Sequence, residues 1–303
     1  MKIYFETNNT VDYREKFQPV IWHIIASSIN VSVNRLEVVP ANKADLIIIT
    51  PFFVWSAKFK IYSRLSEVLN IKIKDKLKFI LTKIYGKDKK FLYIGFENLL
   101  HPFWGNLGDL LYSSSMPRIT SAPDFFDPNG IRMPYWYSYL KFESVDYSKS
   151  SYKRFGAFYD IETLMKPLKI DSIYDKGCLI AQNLNGIRKT MYQNLNKNIE
   201  IDLYGKVGIP LSVKAAKFDI LKKYRYYLAT ENSLGVGYET EKLPEAWMSG
   251  CIPIGCIEVA GGDFNANLYQ NTFSEDAVCT YPLLTEEPKL LNIINYIGET
   301  LNA

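Results

Sequence analysis

The sequence predicts an α/β protein built as two similar domains that face each other. Three observations predict it. First, residues 224–257 read as strand, loop, helix and strand, the pattern of one βαβ unit. Second, a strand followed by Glu-Asn occurs twice, at Glu97-Asn98 and at Glu231-Asn232, once in each half of the chain. Third, residues 144–154 are polar, with Asp146, Ser148, Lys149, Ser150 and Ser151, and read as a linker. The expected division is a first α/β domain over residues 1–150, a second over 151–284, and a C-terminal helix over 285–303.

In the first half, residues 2–5 read as a strand and not as a signal peptide. Residues 22–29 read as a helix. The surrounding uncharged run, 18–34, contains His, Ser and Asn and reads as a buried amphipathic segment more than a membrane span. A cytoplasmic protein is therefore expected. Residues 44–50 are apolar and β-branched, as in a strand covered on both faces, and Pro51 ends them. Residues 58–90 hold eleven Lys and Arg against three acids. Leu69, Ile73, Leu77, Ile80 and Ile84 recur there at helical spacing, with Lys72, Lys76 and Lys83 off that face. Two readings stand: a solvated surface helix, or a basic amphipathic surface that meets an anionic acceptor or anionic lipid, the latter by peripheral contact with the cytoplasmic face of the inner membrane. Residues 91–96 read as a strand. Glu97 follows it, and a carboxylate at a strand end facing a cleft is placed as a general base, or else as a loop-ordering cap. Residues 109–113 read as another short strand. Residues 131–137 follow a turn rich in Asp, Pro and Gly, and Arg132 serves either the cleft or a buried carboxylate.

In the second half, residues 177–181 read as a strand, 182–186 as a loop and 187–196 as a helix with Met191 and Leu195 on one face. Arg188 lies in the first turn of that helix, where a cation is unfavourable unless an anion is near. Residues 200–205 form the next strand, and Gly205 and Gly208 suit a close backbone approach. In the βαβ unit, Tyr226-Tyr227-Leu228-Ala229 is the strand and Thr230-Glu231-Asn232 its polar corner. A glycine loop over 233–238 leads to Thr240-Glu241-Lys242, the first turn of a helix with Leu243, Ala246 and Trp247 on its apolar face. Ser249-Gly250 stops that helix before the strand at 251–255. Lys242, like Arg188, needs an anion near a helix start, and as a point charge it can bind phosphate. Residues 284–301 read as a terminal helix with Leu290, Leu291, Ile294 and Ile297 on one face.

Composition is that of a globular chain: 48% hydrophobic, 22% charged and 15% aromatic, with 22 Tyr that suit sugar-facing clefts as well as cores. A formal net charge of +4 carries no polyanion signature, and no nucleic-acid motif is present. Four cysteines without a CxxC read as buried thiols, and two histidines make a His/Cys zinc site improbable.

The stretch with Glu231-Asn232, Tyr238-Glu239-Thr240-Glu241-Lys242 and Ile252-Pro253-Ile254 resembles the donor-binding motif of the α-1,3-fucosyltransferases, glycosyltransferase family 10. The family usually has Phe where Thr230 stands, a departure expected to alter packing more than chemistry. The resemblance covers roughly residues 178–265 well and the first 90 faintly. It implies a GT-B type fold, two Rossmann-like domains facing across a cleft, with the C-terminal helix packing back on the N-terminal one. It implies GDP-fucose as donor substrate and a glycan acceptor, such as lipopolysaccharide O-antigen or an oligosaccharide, with inverting transfer to a hydroxyl. By resemblance, Arg188 and Lys242 contact the donor diphosphate and Asn183 belongs to the Asn-x-x-x-x-Arg pattern. Glu241 binds the ribose, Tyr238 and Asn232 line the sugar-phosphate pocket, and Gly205 lies near the nucleotide. Glu231 touches the sugar or caps its loop, and Glu97 is the catalytic base. No Asp-x-Asp occurs, so no cofactor and no obligate metal are expected. Another GDP-sugar donor, or a catalytically silent relative that binds glycan or nucleotide, are the alternatives.

Overall fold

Strands form where short apolar runs are bounded by polar corners. The computed structural model describes residues 1–6, 11–51, 53, 56, 59–61, 63–64, 75–95, 99, 107–120, 130–133, 140–142, 145, 171–211, 217–231, 242, 245–246, 249–254 and 287–302. The first sheet holds β1 (Lys2–Glu6), β2 (Glu37–Val38), β3 (Leu46–Ile49), β4 (Lys90–Gly95), β5 (Arg118–Thr120) and β6 (Ile131–Arg132). Its order is β2-β1-β3-β4-β5-β6 and every pairing is parallel. All four residues of β3 are buried, as are Phe91 to Gly95 of β4, because helices cover both faces of a parallel sheet.

Helix α1 (Val11–Ser28) links β1 to β2, with Pro19 inside it; the helix expected at 22–29 is its C-terminal part. Helix α2 (Lys76–Tyr85) buries Leu77, Ile80 and Leu81. Its cap is Asp75, whose carboxylate accepts from the Lys78 N–H at 3.0 Å and from the Ser114 and Ser115 hydroxyls at 2.8 Å each. The apolar stripe read over 69–84 is therefore helical from residue 76; Leu69, Lys72 and Ile73 lie outside the described residues. Of residues 109–113, expected as a strand, 109–112 belong instead to helix α3 (Leu107–Tyr112), and Ser113 follows it in a turn. Leu107, Leu110 and Leu111 are its buried positions, an i, i+3, i+4 set that only a helix places on one face.

The second sheet holds β7 (Tyr174–Ala181), β8 (Ile201–Gly205), β9 (Tyr224–Leu228) and β10 (Ile252–Ile254), in the order β10-β9-β7-β8, again all parallel. Helix α4 (Gly186–Leu195) connects β7 to β8, and α5 (Lys217–Leu221) precedes β9. Leu184, Met191, Tyr192 and Leu195 pack on a core of Leu179, Ala181, Ile201, Leu228 and Ile254. Ile252 pairs with Tyr226, which makes the stretch between β9 and β10 the crossover read from the sequence. Cys178 and Cys251 are free, buried thiols. Cys251 donates to the Tyr224 carbonyl at 3.1 Å, and burial and then its Cys178 neighbour push its thiol pKa up, so it stays protonated.

In each sheet the first strand is flanked by the second and third, so connections leave in opposite directions between β1 and β3 and between β7 and β9. Ligands of open α/β sheets collect at the carboxyl ends of strands at such switch points.

The chain divides into two compact units. Unit 1 comprises Met1–Met133, Phe142–Asp146 and Glu286–Ala303, and unit 2 comprises Pro134–Lys141 and Tyr147–Thr285. The last helix, α6 (Glu287–Asn302), thus belongs to unit 1. It buries Ile293, Ile297 and Leu301, and it packs on α1 so closely that a Cβ on Gly298 would lie 2.9 Å from the Ser28 carbonyl oxygen. Its Tyr296 hydroxyl accepts from the Arg118 N–H at 3.3 Å, and its Leu301 carbonyl accepts from Lys90 Nζ. Among the described residues, no helix is long and apolar enough to cross a membrane.

Candidate functional site

The site is built at the carboxyl ends of β7, β8 and β9. Parallel register sets Ala181, at the end of β7, beside Gly205, at the end of β8. The chain then leaves β7 through Asn183 into α4, and leaves β9 through Ala229, Thr230 and Glu231.

Arg188, in the first turn of α4, is only 4% exposed, so it is not a solvated surface arginine. Its guanidinium reaches across the sheet edge. One terminal nitrogen donates to the Asn183 carbonyl at 3.1 Å and to Asn183 Oδ1 at 3.3 Å. Nε donates to Thr230 Oγ1 at 3.3 Å, and the other terminal nitrogen donates to the Thr230 carbonyl at 3.4 Å. The planar fork of arginine suits such a bridge between two strand ends, because its donors diverge in fixed directions.

Lys242 lies on helical backbone beyond β9 and donates to Glu231 Oε2 at 2.7 Å, with both side chains buried. The cation that the sequence places near a helix start thus finds a carboxylate within the chain. Glu231 was read as touching a sugar or capping a loop; in the structure its described partner is Lys242. One turn on from Lys242, Glu245 is buried and paired with Lys217 of α5. Lys217 also stands 5.4 Å from the centre of the Tyr227 ring. Burial pushes the Tyr227 phenol up to about 12, so it stays neutral. Charges therefore alternate through Glu231, Lys242, Glu245 and Lys217. The Glu245–Lys217 pair was not read from the sequence. The signal available was weak: a glutamate one turn from Lys242, beside Ala246 on the apolar face.

Gly205 is required by its own chain. Its φ of +87° is left-handed, and a Cβ there would lie 2.4 Å from the Ala181 carbonyl oxygen. A Cβ on Gly208 would likewise lie 2.2 Å from the Leu203 carbonyl oxygen. The structure brings Asn183, Arg188, Glu231 and Lys242 into two linked clusters at one sheet edge. Glu97, Asn232, Tyr238 and Glu241 lie outside the described residues. Thr230, the departure expected to alter packing more than chemistry, supplies a hydroxyl and a carbonyl to Arg188.

The switch point of unit 1 also carries polar groups. The Thr50 hydroxyl donates to the Glu6 carbonyl at 2.9 Å, and the Glu6 carboxylate accepts from the Tyr4 hydroxyl at 3.3 Å and from that of Tyr85. Burial, then the Glu6 contact, pushes the Tyr85 pKa far up.

Residues 176–275, which include most of β7, all of β8 to β10 and this edge, match the family model described as glycosyltransferase family 10 (fucosyltransferase) C-term. This stretch is similar to the C-terminal domain of glycosyltransferase family 10. Among similar proteins, the 3-galactosyl-N-acetylglucosaminide 4-alpha-L-fucosyltransferase of Pan troglodytes is 41% identical over 68 residues, 21% of this chain and 18% of the relative. The 4-galactosyl-N-acetylglucosaminide 3-alpha-L-fucosyltransferase of Homo sapiens is 40% identical over 67 residues, with the same shares of 21% and 18%. The match thus spans under a fifth of the length of these curated relatives. Whole-chain similarity comes from structure. A solved alpha1,3-fucosyltransferase with GDP-fucose superposes with a TM-score of 0.50 at 20% identity, covering 97% of this chain and 81% of that one. A second solved alpha1,3-fucosyltransferase gives 0.50 at 18% identity with the same coverage. The fold is therefore of the GT-B type, and the residues matched by the family model fall within unit 2. The residues that hold Arg188 and Lys242 all fall within the matched stretch.

Proposed function

We propose that the chain is a fucosyltransferase that moves L-fucose from GDP-fucose to a hydroxyl of a glycan acceptor. The observation that carries this reading is the pair of buried cations, Arg188 and Lys242, held beside the β7/β9 switch point inside the stretch that matches family 10. A departing nucleoside diphosphate needs its growing negative charge met by fixed cations and helix N-termini. Arg188 stands in the first turn of α4, so its charge and the free N–H groups of that helix serve one anion. Lys242 supplies a point charge from the next crossover.

The chemistry is a single displacement with inversion. The acceptor hydroxyl oxygen forms a bond to the anomeric carbon, the bond from that carbon to the diphosphate oxygen breaks, and GDP leaves with the electron pair. The acceptor proton passes to a carboxylate, which we assign to Glu97. Glu241 takes the ribose hydroxyls, and Asn232 and Tyr238 line the sugar-phosphate pocket. The absence of an Asp-x-Asp pair from the sequence favours charge neutralisation by side chains without an obligate metal.

A donor screen tests this. Purified protein in EDTA is offered a panel of GDP- and UDP-sugars, and released nucleotide is measured with and without N-acetyllactosamine. GDP release from GDP-fucose alone, raised by the acceptor, is the expected result. Release from a different GDP-sugar changes the donor. No binding of GDP overturns the reading.

A further inference from the structure

Arg188 and Lys242 come from different crossovers, one after β7 and one after β9, yet both are fastened to the same two consecutive residues. Thr230 receives Arg188 through its hydroxyl at 3.3 Å and its carbonyl at 3.4 Å. Glu231, the next residue, receives Lys242 at 2.7 Å. Thr230 is 1% exposed and Glu231 2% exposed, so neither anchor is a surface side chain. The Ala229 N–H just before them donates to the Ile254 carbonyl at 2.7 Å, which pins this exit of β9 to β10.

From this we infer that the Thr230-Glu231 dipeptide is a positioning element for donor binding: it sets the place of both diphosphate cations at once. The inference rests on the proposed reading of Arg188 and Lys242 as the diphosphate-binding pair. Its physical basis is the cost of ordering. A long cationic side chain that is already held in one rotamer loses little further freedom when the diphosphate arrives. The Thr230 hydroxyl fixes the rotation of the guanidinium, because it takes the Nε donor while Asn183 takes a terminal nitrogen. The Glu231 carboxylate orients the Lys242 ammonium group, which donates to it at 2.7 Å.

Affinity for GDP, measured by titration calorimetry in paired-variant cycles, tests the inference. Thr230→Val keeps the shape of the side chain and removes the hydroxyl; it is expected to weaken GDP binding about fivefold, the equivalent of one hydrogen bond. Thr230→Ser is expected to restore it. In an Arg188→Ala background, Thr230→Val is expected to change GDP binding no further, a result that general loosening of the fold does not give. Glu231→Gln is expected to weaken GDP binding roughly tenfold, as for a hydrogen bond to a charged group, and to add nothing in a Lys242→Ala background. The inference is overturned if Thr230→Val weakens GDP equally with and without Arg188, or leaves affinity unchanged. It is also overturned if Glu231→Gln tightens GDP, since the carboxylate would then be competing with the diphosphate. A wild-type protein that binds no GDP overturns the proposed function itself; the cycle results, obtained with a wild type that does bind, bear on the dipeptide alone.

Discussion

Asp75 shows how much one side chain can hold. Its carboxylate accepts from the Lys78 N–H at the start of α2 and from the Ser115 N–H at 2.7 Å, besides two serine hydroxyls. Burial pushes its pKa up, but these hydrogen bonds outweigh burial and hold it below the ordinary carboxylate value. The folded value lies below the unfolded one. The stabilisation is therefore fully present above about pH 4 and is lost as pH falls through the folded value. Replacing Asp75 by Ala is expected to lower stability by about 1–2 kcal/mol at pH 7 from the lost cap. Thermal melts across pH should show the gap between variant and wild type narrowing below pH ~4. A constant gap would mean that the carboxylate charge is irrelevant. At this same scale, the sequence argument that a cation near a helix start needs an anion is met for Lys242 by Glu231, whereas the partners described for Arg188, Asn183 and Thr230, are neutral. What the sequence could not give was the partners themselves. Glu231 is eleven residues from Lys242, and Thr230 is forty-two from Arg188. Only the parallel pairing of β7 with β9 brings the latter two together.

At the scale of elements, the junction of β7 and β8 depends on a glycine. Gly205→Ala is expected to destabilise the protein by about 1–3 kcal/mol, because a left-handed φ and a clash with the Ala181 carbonyl act together. Urea unfolding should show a lowered midpoint; an unchanged midpoint would show that the turn relaxes freely. Long apolar strands were legible from sequence because a strand buried on both faces is a run of one kind of residue, as in Leu46–Ile49. The βαβ unit from β9 to β10 was legible because a glycine loop and a helical stripe separate its two strands. The strands β2, β5 and β6 have two or three residues each and carry no period to read. The segment at Asp109 misled because Leu110 and Leu111 in succession suit a strand until Leu107 is counted with them. Arg118 escaped notice for another reason. It is 0% exposed and donates to the Ser114 and Met116 carbonyls at 2.8 and 2.9 Å, a burial that no local pattern announces for an arginine.

At the scale of the whole molecule, unit 1 is completed by the far end of the chain. Deleting residues 287–302 removes the buried Ile293, Ile297 and Leu301 from their place against unit 1 and strips Lys90 and Arg118 of hydrogen-bond partners. Amide exchange in the truncated protein is expected to lose protection over β1, β3 and β4 while β7 and β9 keep theirs, since each unit has its own sheet and core. Equal loss in both sheets would contradict that division. The same threading bears on how the protein is made. A ribosome delivers the first sheet early, but the helix that closes its core only after residues 147–285 have emerged. The second unit, though later in sequence, has nearly all its parts first. The nascent first sheet must wait without that helix, its apolar flank open to chaperones or to other chains, until synthesis has passed beyond the second unit.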